Sequence, residues 1–321
     1  MAGSVEPVGE DSVLALASRP YPDRGEEAEL VSADDGKSGV TSLNIEQLGP
    51  EAVRRRVLDG QDTVLIPIGC CERHGNPYTP VGLDGIICLA TVERAAAKAD
   101  VLHTPLMPFS YAPMHMGDVG NGSGAVTLRG ETFRRVLEDI GQSLIYQGFG
   151  KLIFVTLHGP NVECGEEVLF SLRFGTGAFV AFYGGRESST IDEIFDSPPA
   201  RLTSDVEASL TMALIGRRFK AREYLAESYD IHAPAWLGSG FSKRSGTGTA
   251  VAFDGTDNIH VGMNDFEYTS RVDEPPPPSQ ATPERGERLL DSLSDHLAAF
   301  LGQIKDLQVD VRNRDFPDRA R

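Results

Sequence analysis

Apolar residues along the chain follow two rhythms that alternate. Short runs in which nearly every position is apolar, many of them β-branched, predict strands buried on both faces: TVLIPIGCC (Thr63 to Cys71), VLHTPLMPFSY (Val101 to Tyr111), KLIFVTL (Lys151 to Leu157) and GAFVAFYG (Gly177 to Gly184). Between them lie stretches with helical spacing. IEQLGPEAVRRRVLDG precedes the first strand and GIICLATVERAAAKA (Gly85 to Ala99) follows it. Phe133, Val136, Leu137, Ile140, Leu144 and Ile145 mark one face of a further helix that Gly148 and Gly150 should end. VEASLTMALIGRRF (Val206 to Phe219) and the stripe Leu289, Leu293, Leu297, Phe300, Leu301 and Ile304 predict two more, the last packed on the sheet. Strand and helix in turn predict an α/β fold: a single-domain layered α/β/α arrangement with a mostly parallel central sheet and right-handed crossovers.

The flanks read differently. Residues 1–42, rich in Glu, Asp, Gly, Ser and Pro with little apolar periodicity, read as a flexible acidic arm, 43–310 as the α/β domain and 311–321 as a C-terminal tail. The Gly-, Ser- and Thr-rich segment from Ala235 to Thr256 reads as loop or short β structure, and prolines 275–278 as a stiff extended spacer.

Composition narrows the partners. Lys and Arg total 30 against 47 Asp and Glu, a formal charge of −17 that repels a phosphate backbone or an anionic bilayer, so neither nucleic acid nor membrane is expected. Cys70, Cys71, Cys88 and Cys164 lack the spaced pairs of a zinc knuckle and are too few for a disulfide scaffold, so they read as reduced thiols. No basic region followed by an apolar stretch opens the chain, and no apolar run approaches the roughly 20 residues that span a bilayer. The expectation is a soluble, cytoplasmic protein.

Ligands of open α/β sheets bind beyond the carboxyl ends of the strands, and two such places carry chemistry here. Glu72, His74 and Asp84 follow the first strand, and His158 follows the third. In an extended segment Glu72 and His74 share a face. Imidazole and carboxylate together suit zinc or manganese, whereas magnesium and calcium favour oxygen alone. A carboxylate such as Asp84 can bridge two cations about 3.5–4 Å apart, as in two-metal hydrolases. Each residue also has a structural reading: Asp84 as a helix-start carboxylate, the histidines as hydrogen-bonded strand-end residues, and Glu207 as the partner of Ser204 in a capping box.

The segment VLIPIGCCERHGNPYTPVGLDG (Val64 to Gly85), the strand end FVTLHGPN (Phe154 to Asn161), the helix residues Glu207-Ala208-Ser209 and the late PSQATPERGERLL (Pro278 to Leu290) together resemble the creatininase family, in the same order. The resemblance implies that Glu72, Asp84 and His158 hold one divalent cation and that His74, Asp84 and Glu207 hold a second. Zn or Mn is implied, two ions per chain. It also implies a water activated between the ions as nucleophile, hydrolysis of an amide-like bond in a small-molecule substrate, and a homo-oligomer, hexameric in relatives.

Several departures matter. The family's His-Leu-Pro is replaced by Asn76-Pro77-Tyr78-Thr79-Pro80, and Asp84 lies one residue farther from Glu72 than the pattern places it. Pro160 stands where creatininase proper has a ligand Glu; members with Gly there use the helix Glu, here Glu207. Leu202-Thr203-Ser204 replaces a His-Ala-Gly whose His assists proton transfer, so creatinine itself is not the expected substrate. His115, or Tyr78, becomes the candidate proton donor, with Glu207 the other catalytic candidate. Lys243 and Arg244 could receive an anionic substrate group or simply face solvent, and Cys70 and Cys71 read as core filler. Glu163 reads as solvent-facing in the first turn of the next helix, although it could substitute as a ligand. Carbon–carbon cleavage of a cyclic ketone on the same site, or a non-catalytic metal-stabilised interaction subunit, are the alternatives to amide hydrolysis.

Overall fold

The computed structural model describes residues 42–74, 79–120, 122–185, 188–195, 199–216, 229–243, 249–271 and 280–316. The acidic arm (apart from Ser42), residues 75–78, Arg244 and the proline spacer therefore lie outside the described residues.

Helix α1 (Pro50–Leu58) leads into β1 (Thr63–Ile68), and then come α2 (Leu83–Ala99), β2 (Leu102–His103), α3 (Gly130–Tyr146), β3 (Lys151–Thr156), α4 (Gly159–Thr176) and β4 (Phe179–Tyr183). These strands form one parallel sheet in the order β2-β1-β3-β4. Every residue of β1 and β3 is buried, as their unbroken apolar runs require. Their side chains divide by the period of two. Val64, Ile66, Leu152 and Phe154 meet Phe133, Leu137, Val168 and Leu172 of α3 and α4 on one face. Leu65, Ile153 and Val155 meet Cys88, Val92 and Ala95 of α2, together with Leu297 and Leu301, on the other. The predicted three layers are present.

β2 is far shorter than the run Val101 to Tyr111 suggested. Pro105 and Pro108 carry no N–H for a ladder, and the chain keeps only single bridges farther on, from Met107 to Ile68 and from Ser110 to Thr127.

Beyond the sheet come α5 (Ser188–Ile194), α6 (Pro199–Ile215), β5 (Tyr229–Ile231), β6 (Phe241–Ser242), β7 (Ala250–Phe253), β8 (Thr256–His260), α7 (Asp265–Tyr268), β9 (Thr269–Arg271) and α8 (Pro283–Ile304). β6, β7 and β8 make a small antiparallel sheet, and β5 pairs with β9. Helix α8, capped by the Thr282 hydroxyl and opened by Pro283, lays its apolar stripe on the sheet as predicted. Helix α6 is anchored to the entry of α8: Asp205 Oδ1 accepts from the Gln280 N–H (3.0 Å) and Ser209 Oγ from the Thr282 N–H (3.2 Å). Gly286 of α8 rests on this segment, and a Cβ there would collide with the Ser209 carbonyl. Residues 311–316 also dock, with Arg314 donating to the Ile145 and Phe149 carbonyls. No helix among the described residues is long and apolar enough to cross a membrane.

Candidate functional site

Segments far apart in sequence meet where β1 and β3 end. Glu72 follows β1, its N–H donating to the Val81 carbonyl at 2.8 Å. Asp84 is the second residue of α2. A close approach brings it in: a Cβ on Gly69 would lie 2.7 Å from the Gly85 Cα, so only glycine lets the helix start this near the strand end. His158 is the N-cap of α4, two residues past the end of β3. His115 closes a single 3-10 turn, Pro113–His115. Glu207 comes from α6.

The structure brings together Glu72, His74, Asp84, His115, His158 and Glu207 around one cavity. Glu72 is central: its Oε2 lies 3.0 Å from His158 Nδ1 and 3.1 Å from His115 Nε2, and its Oε1 lies 3.8 Å from His74 Nδ1. Asp84 Oδ2 is 3.5 Å from His158 Nδ1, and Glu207 Oε1 is 3.7 Å from His74 Nδ1. With His158 Nε2–H donating to the Tyr111 carbonyl at 3.1 Å, Nδ1 is the nitrogen that faces the carboxylates. A cavity of about 490 Å³ opens onto the group, walled also by Glu163, Thr249 and His260.

These donors fit a divalent ion. Asp84 Oδ2 and His74 Nε2 are buried without a hydrogen-bond partner, a costly condition that a bound group would relieve for the oxygen. Atoms that share one ion at zinc distances lie about 3–3.5 Å apart, and most of the N···O separations above fall in or near that range. The nitrogen and oxygen mixture suits Zn or Mn.

The polypeptide alone balances these charges with protons. Burial raises the Glu72 carboxyl, but the imidazoles facing it, His158 foremost, hold it down at about 2. Burial likewise opposes charge on His158 and His74. Asp84, Cys70 and Glu72 overcome this and push His158 up to about 12, and Glu207, Asp84 and Glu72 push His74 up to about 9. Glu207, hemmed in by protein yet 24 % exposed to the cavity, is shifted upward by desolvation.

Some sequence readings are corrected. The Ser204 capping box fails because α6 begins at Pro199, which puts Ser204 inside the helix and leaves Glu207 for the site. Lys243 is not a substrate receptor. It is buried, donates to the Ala250 carbonyl at 3.2 Å and lies 4.3 Å over the Tyr268 ring. Glu163 is exposed but at the cavity wall. Tyr78 lies outside the described residues. His103, His232 and His296 bond to Thr104, Ser270 and Tyr183, away from the cavity.

Sequence reasoning missed Asp265 and His260. Buried Asp265 holds its Oδ2 3.3 Å from both His115 Nδ1 and Arg73 Nη2. It follows the N-cap Asn264 of a capping box completed by Glu267, a local signal that marks a helix start and says nothing of a distant histidine. His260 accepts or donates at 3.1 Å with Thr249, across a hairpin that the sequence left undefined.

A family profile described as creatininase, creatinine amidohydrolase, matches residues 46–301. Among solved structures the fold is similar to a mutant creatininase of Zn-Zn type (18 % identity, 83 % of this chain and 99 % of that one, TM-score 0.61). It is equally similar to a creatininase Mn form (18 % identity, 83 % and 100 % covered, TM-score 0.61). A crystal structure of creatinine amidohydrolase gives 19 % identity, with 84 % and 100 % covered and a TM-score of 0.60. No curated protein sequence matches the chain.

Proposed function

We propose that this chain, which belongs to the creatininase family, is a metal-dependent amidohydrolase cleaving a cyclic or linear amide-like C–N bond in a small polar metabolite. Glu72, Asp84 and His158 would hold one divalent ion, Zn or Mn, and His74, Asp84 and Glu207 would hold a second. The convergence of these five side chains on one cavity, with Asp84 Oδ2 buried and without a hydrogen-bond partner, supports the reading. Bound there, the cations supply an activated water and polarise the carbonyl under attack.

The chain's own residues handle the protons. Glu207, reaching in from α6, accepts a proton from the attacking water, in keeping with its raised carboxyl pKa. His115 delivers a proton to the leaving nitrogen from Nε2, the nitrogen that faces the site. Asp265 accepts from its Nδ1 and fixes the ring and tautomer. His115 thus takes the task that the family assigns to a histidine ahead of the helix Glu, a place held here by Leu202-Thr203-Ser204. A changed proton donor and a rebuilt loop argue for a substrate other than creatinine.

Demetallated chain reloaded with zinc or manganese tests this. The expected result is two equivalents per chain, lost together in Asp84→Ala, with turnover of at least one compound in a panel of lactams, formamides and small linear amides. A chain that takes up no metal and turns over none of them refutes the proposal.

A further inference from the structure

Cys70 lies beside three of the metal-ligand donors without a part in the ligand set above. Its side chain is 1 % exposed, at the bend after β1, and its Sγ lies 3.5 Å from Glu72 Oε2. That sulfur and one ligand atom each from Glu72, Asp84 and His158 all lie within 4.8 Å of one another. Asp84 Oδ2 is buried beside them without a hydrogen-bond partner, and His158, 5 % exposed, turns Nδ1 toward the same carboxylates, 3.5 Å from that oxygen. The other thiols behave differently. Cys71 Sγ faces the Pro108 carbonyl at 3.7 Å, and Cys88 Sγ donates to the Val155 carbonyl at 3.1 Å within the core.

We propose that Cys70 is a fourth protein ligand to the divalent ion held by Glu72, Asp84 and His158, forming a mixed sulfur, oxygen and nitrogen site that prefers zinc to manganese. This rests on the ligand set given under the proposed function. Coordination replaces the S–H bond by a sulfur–metal bond and releases the proton to solvent, with no change of oxidation state. Thiolate is a soft donor that favours zinc, whereas manganese favours oxygen. His74, Asp84 and Glu207 offer no sulfur, so the two halves of the centre would differ in softness: the first would favour zinc, while the second, all oxygen and nitrogen, would take either ion.

Cobalt(II) titrated into the metal-free full-length chain reads this out without activity, because a thiolate ligand gives cobalt a near-ultraviolet charge-transfer absorption that carboxylate and imidazole do not. The band is expected in the unaltered chain and in Cys71→Ser, and lost in Cys70→Ser while cobalt still binds. Zinc-edge X-ray absorption on the unaltered chain, which needs no variant to fold, is expected to find a sulfur neighbour at about 2.3 Å. Cobalt bound without the band, or a band that survives Cys70→Ser, overturns the assignment of Cys70 and leaves the other ligands standing. A chain that binds no cobalt overturns the ligand set and Cys70 with it.

Discussion

Lys151 opens β3 and His158 follows its end, and both are buried, 4 % and 5 % exposed. Their surroundings differ in kind. Lys151 Nζ donates to Asp62 Oδ1 and to the Lys305 carbonyl, each at 2.8 Å, so one cation meets one carboxylate and a spare lone pair. Around His158, carboxylates and imidazoles crowd together with histidine nitrogens pushed far above their ordinary range and an aspartate oxygen left without a partner. The first end satisfies its own charges and ties β3 to the end of α8. The second keeps donors in place that the polypeptide does not satisfy, which is where a ligand can supply what is missing.

The sharpest way to break that contrast is Asp84→Ala. It should cost both ions and lower kcat/KM by about 10³-fold or more, the several kcal/mol that cation stabilisation contributes, with metal content measured beside turnover. Retention of both ions would show that the crowded end does not need its central carboxylate. His115→Gln should keep the metals and lower kcat by about 10²-fold or more, as expected for loss of a positioned acid. At the other end, Lys151→Met strips a buried partner from Asp62 and should cost about 2–3 kcal/mol in denaturant unfolding, toward the low side because Asp62 is 26 % exposed. Its metal stoichiometry should not change, and if it did the two ends would not be independent.

The smallest effect is protonic. At pH 7 His74 and His158, held up at about 9 and about 12 by their carboxylate neighbours, are protonated in the metal-free chain. Each must lose its Nδ1 proton to ligate and Cys70, its thiol pushed up to about 11 by burial, must lose its own, so metal binding should release about three protons per chain and weaken as pH falls. Calorimetry in buffers of different ionisation enthalpy measures this. Uptake without proton release would mean that the imidazoles do not serve as ligands.

Much of this was legible in the sequence because it is local. β1 and β3 announce themselves as unbroken apolar runs, and a strand end is where an α/β sheet exposes side chains, so Glu72, His74, Asp84 and His158 were nominated from position alone. Glu207 needed the family resemblance, since it also fits an ordinary helix start. What stayed hidden depends on distant pairing. Nothing near Asp265 foretells that α7 packs beside the turn holding His115. Nothing near Lys243 foretells Tyr268 beneath it, and Cys70 reads as filler until the carboxylates it faces are in place.

The collision that a side chain at Gly286 would meet has a bearing on Glu207. The blocked carbonyl belongs to Ser209, two positions along α6, so a side chain at 286 would press on the helical turn that carries Glu207. Even one added methyl there would displace its carboxylate while leaving every donor atom chemically unaltered. Helix spacing remote from the cavity would therefore bear on how well Glu207 could serve the ligand role proposed for it.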